Sequence, residues 1–131
     1  MPITPTLPYA DVEAALTAWL QSQLGASARV VTETPAQFTQ PVVQVTRIGG
    51  PRRQTFDHAI VDVEVFTSTR IASRQLSDQV ALLLEQVLPG TRVAGGSVGF
   101  VICTAGPSWL PWENTTVRRF GATYQVNIHA G

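Results

Sequence analysis

Lysine is missing from this sequence, and all nine of its basic residues are arginine. Acids also number nine, so the formal net charge is zero. Long-range attraction to nucleic acid needs a basic excess, and no basic stripe supplies one locally. That argues against a nucleic-acid-binding module. Charged residues are only 14% of the chain, against about 25% in ordinary globular proteins. So little charge suits a surface buried against partners, and it equally suits a compact domain with a plain Ser/Thr/Gln exterior. Arginine-only cations favour planar, bidentate contacts.

Cysteine is nearly absent. With Cys103 alone, no intrachain disulfide can form and no zinc site can be built from cysteine pairs. Cys103 ends the apolar run Phe100-Val101-Ile102-Cys103 and reads as a buried structural residue. His58 and His129 are the only histidines. Neither stands in a nucleophile motif, and both read as surface residues. Asp62 and Glu64 lie two apart and share a strand face. A solvated face or an intersubunit ion pair fits them better than a metal site, because no further acids or histidines join them. Gly95-Gly96-Ser97 is not followed by lysine or a helix start, so it is a turn and not a phosphate loop. The sequence therefore offers no catalytic, cofactor or metal residues, and the expectation is a protein that is not an enzyme. No apolar run approaches the roughly 20 residues of a membrane span. Met1–Pro8 is not a basic-then-apolar signal. The expectation is a protein made soluble in a cytoplasm, with no membrane partner.

What is present is patterning. A chain of 131 residues suits one domain. Residues 1–8, with three prolines, read as an extended arm, and residues 9–131 as a single α+β domain. Asp11 is placed to cap a helix with Glu13 in its first turn. Val12, Ala15, Leu16, Trp19, Leu20 and Leu24 follow at helical spacing, Trp19 in the core, and Gly25 stops the helix. A second helix, capped by Ser68 or Thr69, carries Ala72, Leu76, Val80, Leu83, Leu84 and Val87, and Pro89-Gly90 ends it. Strands are expected at 29–33, 42–48, 58–66, 97–105 and 118–129. The last has the cleanest alternation, with Phe120, Ala122, Tyr124, Val126 and Ile128 on one face. The order predicts a two-layer α+β fold, with a mostly antiparallel sheet and two amphipathic helices on one face.

Two features belong to no core pattern. Arg52-Arg53 follows Gly49-Gly50-Pro51 on what reads as a mobile polar loop. Trp109 and Trp112, flanked by prolines, lie on a loop spanning 106–116 that leads into Arg118-Arg119. Exposed aromatics and arginines anchor interfaces, so Arg52, Arg53, Trp109, Trp112, Arg118 and Arg119 are the candidate interface residues; the equal alternative for either tryptophan is a plug at the end of the core. Arg118 and Arg119 are adjacent on a strand and point to opposite faces.

The run GPSWLPWENTTVRRFGATYQV, residues 106–126, resembles the end of small tail proteins of long-tailed actinobacterial phages. PVVQVTRIGGP at 41–51, VDVEVF at 61–66 and AWL at 18–20 share that likeness. The chain is thus similar to tail terminator (tail completion) proteins. The resemblance implies a ring, usually hexameric, that sits on the last ring of tail-tube protein, stops its polymerisation and meets the head-tail connector protein. It implies a virion location at the head-proximal end of the tail, and no cofactor. Genomic DNA would pass through the lumen without specific binding. The Arg52-Arg53 loop would line the lumen or meet acidic tube subunits, and the Trp109–Trp112 loop would pack on a neighbour. The arm at 1–8 and the loops at 51–57 and 106–116 would order on docking. The alternatives are another head-to-tail joining protein, a stopper or adaptor, or a small α+β ligand-binding domain.

Overall fold

The computed structural model describes residues 9–39, 41–111 and 116–130. The arm expected at 1–8, and Trp112, lie outside the described residues.

Helix α1 (Val12–Leu24) starts where the sequence places it, with Asp11 Oδ1 accepting the Ala14 N–H at 3.1 Å. Gly25, at φ 58°, ends it, and a 3-10 turn follows. Val12, Ala15, Leu16, Leu20 and Leu24 are buried. Trp19, expected in the core, is only half-buried. α1 packs on the outer strands of the sheet, where less protein covers an indole.

The strands are β1 (Arg29–Val31), β2 (Val42–Gly49), β3 (Arg52–Arg53), β4 (Phe56–Thr67), β5 (Arg92–Val93), β6 (Gly96–Leu110) and β7 (Arg118–Ala130). They form one sheet in the order β1-β2-β4-β7-β6-β5, with β3 as a short ribbon on β4. Among the described residues, only the β1–β2 pair is parallel. The fold is α+β, as predicted. β4 and β6 both run antiparallel to β7, and helix α2 (Arg70–Leu82) lies in the chain between them. β7 is therefore inserted into the middle of a split β-α-β unit.

Both helices cover the same sheet face. Ala59, Val61, Val63 and Val65 of β4 and Phe120, Ala122, Tyr124, Val126 and Ile128 of β7 meet Leu16, Leu20, Leu76, Val80 and Leu84 in one cluster. Each fully buried leucine in such a layer contributes about 1.5–3 kcal/mol from burial. α2 is capped by Thr69, whose hydroxyl accepts the Ala72 N–H at 3.1 Å. Its buried Ser73 ties it to the strand ends, with Oγ 2.6 Å from both Thr67 Oγ1 and the Arg118 carbonyl oxygen.

The second helix does not stay α-helical to Pro89. It passes into a π-helical turn, Leu83–Val87, and the Leu88 N–H donates to the Leu83 carbonyl at 2.9 Å. The wider turn rotates the stripe. Val87, expected inside, is exposed, and Leu88 is buried in its place.

β6 is longer than expected and runs through Leu110, so residues 106–110 of the predicted tryptophan loop are strand. Its register against β7 shifts at three places, between Val98 and Val101, between Cys103 and Ala105, and between Ala105 and Ser108. Those shifts break the alternation that marks a strand in sequence. β6 is also the strand beyond which only the two-residue β5 pairs. Its apolar run is consequently split: Phe100 and Ile102 are exposed, while Val101 and Cys103 are half-buried against the core, so Cys103 is not the fully buried residue expected.

Candidate assembly surface

The five described residues among the six expected at an interface, all but Trp112, fall at two ends of the sheet. At one end β2 turns through Gly49-Gly50-Pro51 into β3 and β4. The 51–57 segment is no free loop, because Arg52 pairs with Asp57 and Arg53 with Phe56 in the ladder. What fixes it is a residue outside those six. Asp57 continues the buried face of β4 and is 1% exposed. A buried carboxylate needs a cation and full hydrogen bonding. Arg47 supplies both, with NH1 at 2.5 Å from Oδ2 and NH2 at 2.7 Å from Oδ1. Arg47 also donates to the carbonyls of Gly49 and Gly50, each at 3.1 Å. Its own backbone N–H donates to Glu13 of α1 at 2.7 Å. One arginine thus locks the turn, the sheet and the first helix together.

Arg52 is drawn into this cluster. Its Nε lies 3.4 Å from Asp57 Oδ2, and its guanidinium lies over the Tyr9 ring, 5.1 Å from the centroid. Arg53 projects from the tip as an exposed cation. Tyr9, Asp11, Glu13, Arg47 and Arg52 line an open cleft of about 400 Å³ beside it.

At the opposite end, Trp109 pairs with Phe120 in the β6–β7 ladder and is exposed. The Arg70 guanidinium of α2 stacks 4.9 Å from its ring centroid, a cation–π contact that holds the indole against the helix. Arg118 and Arg119 sit opposite Thr67 and Phe66 and so alternate in face. Arg119 bonds Glu64 at 3.0 Å and the Pro111 carbonyl at 2.8 Å.

The helix-free face carries a small apolar cluster, Val42, Phe66 and Val117 with Phe38 packed on it, and beyond that cluster it is polar and internally paired. Thr123 donates to Asp62 at 2.6 Å, and Asn127 lies 2.9 Å from His58 Nδ1. Asp62 and Glu64, expected to be solvated or to face another subunit, have partners within their own chain. His129 is exposed beside Phe56, ring centroids 4.7 Å apart. Among the described residues, no three His, Cys, Asp or Glu side chains group so as to hold a metal ion. No described helix is long and apolar enough to cross a membrane.

The Cys103 thiol donates to the Ala105 carbonyl at 3.4 Å. Burial first, and the charge of Glu85 second, push its pKa above the ordinary thiol value. Less thiolate is then present at mildly alkaline pH. At pH 8, iodoacetamide should alkylate Cys103 several-fold more slowly in the folded chain than in urea. Equal rates in the two would remove this reading of the thiol.

A family model described as phage tail termination protein matches residues 8–130. The chain belongs to that family. Its members are structural tail proteins, so this is a tail-terminating structural protein of the virion. Among solved structures it is similar to a chain from the virion of a native gene transfer agent particle. The likeness covers 92% of this chain and 98% of that one, with a TM-score of 0.61 and 14% identity. At that identity the likeness speaks for the fold. No curated protein matches.

Proposed function

We propose that this chain forms a ring, hexameric as the sequence resemblance implies, at the head-proximal end of a long-tailed phage tail. The ring sits on the last ring of tail-tube subunits, stops their polymerisation and offers the surface that joins the head connector. Subunits assemble in the host cytoplasm, and genomic DNA passes through the lumen without specific binding. The resemblance of residues 106–126 supports an actinobacterial host. The observation that carries the reading is the family match across residues 8–130.

Ring closure needs two different side surfaces on each subunit, because head-to-tail contacts close a ring. The indole end of the sheet, Trp109 stacked under Arg70, supplies one of them, and the opposite end carries a cationic hairpin tip at Arg53 suited to an axial or lumen contact. Arg53 is assigned to an acidic tube or lumen surface, and Trp109 with Trp112 to a neighbouring subunit. Arg52, Arg118 and Arg119 join those two surfaces in part, since each also serves the fold through a bond named above.

Light scattering with negative-stain imaging of the protein and of purified tail tubes tests this. Rings, or single subunits, seated on one end of the tubes support the reading. Binding to connector rings but not tubes replaces it with a stopper or adaptor, and binding to neither restores a ligand-binding domain. Arg53→Glu should lower tube-end occupancy by about tenfold through charge repulsion, with the melting temperature unchanged. Unaltered occupancy would move the tube contact elsewhere.

A further inference from the structure

The outward face of α2 is apolar and charged in an order that its own helix does not favour. Ile71 is 65% exposed and Leu82 is 60% exposed. Arg70 and Arg74 occupy the first turns, with no acid in the first turn and no base in the last. Asp78 follows, then Glu85 beyond the helix end. A helix dipole prefers acids at its N-terminus and cations at its C-terminus, so this order works against the helix. Arg74 and Asp78 stand four apart, a spacing that suits an intrahelical pair. Yet among the described residues neither is joined to an opposite charge.

The pattern is complementary to itself when reversed. Residues 71, 74, 78 and 82 lie at spacings of three and four and share one face. Arg74 and Asp78 are symmetric about position 76, and Ile71 and Leu82 straddle almost the same point. A second α2 laid antiparallel on this face brings Arg74 to Asp78 of the other copy and Ile71 to its Leu82. A two-fold axis makes each contact twice. The first half of the face is basic and the second half acidic, so parallel stacking sets like against like.

We propose that two copies of this chain associate through antiparallel pairing of their α2 faces about a two-fold axis. The contact is isologous and cannot itself close a ring. It therefore goes beyond the ring reading and belongs to the protein before it reaches the tail, covering Ile71 and Leu82 in the meantime.

The test places a cysteine beside the axis. In full-length protein with Cys103→Ser, Gln75→Cys should form a disulfide-linked dimer under mild oxidation, since identical positions meet only across a two-fold. Sedimentation should show a dimer that weakens with salt. Arg74→Asp and Asp78→Arg should each weaken it about tenfold, and the two together should restore it. A chain that stays monomeric, a Gln75→Cys variant that does not cross-link, or a dimer indifferent to both reversals would overturn the proposal. Tube-end binding is scored separately. A chain that caps tubes but never cross-links through α2 refutes the pairing alone, and one that cross-links but ignores tubes refutes the ring reading alone.

Discussion

Asp57→Ala should lower the melting temperature by roughly 10 °C. The substitution removes the acceptor for two arginines and leaves the Arg47 guanidinium, 17% exposed, without a counter-charge. Breaking one side of a buried pair costs about 3–5 kcal/mol. Partial exposure of Arg47 brings the expected loss to the lower end, about 3 kcal/mol. For a chain of this size each kcal/mol moves the midpoint by about 2–5 °C. Asp57→Asn keeps the shape and some of the hydrogen bonds and should cost about half as much. Replacing both partners by apolar residues, Arg47→Met with Asp57→Leu, should recover part of the loss, because no charge is then stranded. Thermal melts of the four proteins check the series. An Asp57→Ala midpoint within a degree of the parent would mean that the pair does not hold the hairpin.

Gly50→Ala should cost about as much by a different route. Gly50 has φ +103°, and an added Cβ would lie 1.9 Å from the His58 carbonyl oxygen. That oxygen is backbone, in a strand paired on both sides, and it cannot swing away. The turn must open, and with it goes the bond in which the His58 N–H donates to the Pro51 carbonyl at 2.9 Å. The Arg47 bond to the Gly50 carbonyl is strained as well. A loss of about 2–4 kcal/mol is expected from the clash and the left-handed backbone together. Gly49, also at positive φ, would place a Cβ in open space, so Gly49→Ala should be the milder of the two. Thermal melts of both variants decide it, and equal losses would show that φ alone matters at this turn.

The layers of the fold are legible in the sequence because they rest on periodicity. Helix stripes at three and four, and strict alternation over 118–129, place the core residues without any long-range information. The Arg47–Asp57 lock is legible too, though not to a reading that looks for exposed anchors. Asp57 shares parity with Ala59 and Val61, and Arg47 with Val43 and Val45. An acid and a base on buried faces of neighbouring strands must find each other. The charge order along α2 can also be read directly. What stays hidden is whatever depends on irregularity. Bulges interrupt β6, so its last residues read as loop. A π-turn changes the helical repeat, so a regular stripe favours Val87 where the fold buries Leu88. The edge position of β6, which exposes Phe100 and Ile102, follows from strand order, which no local pattern contains.

The insertion of β7 between β4 and β6 also governs when this molecule can exist. Partners in the β4–β7 ladder are 51 to 73 residues apart in the chain. Loop closure must precede most of the sheet's reward, which slows folding. While residues 118–130 are still being made, β4 is paired only on its β2 and β3 side and β6 only with the two-residue β5. A nascent chain at that stage is open to misassociation. Subunits should therefore become competent for assembly once the final strand slots into the gap, and losing it should detach β6 and β5 while the β1–β2–β4 part of the sheet stays paired.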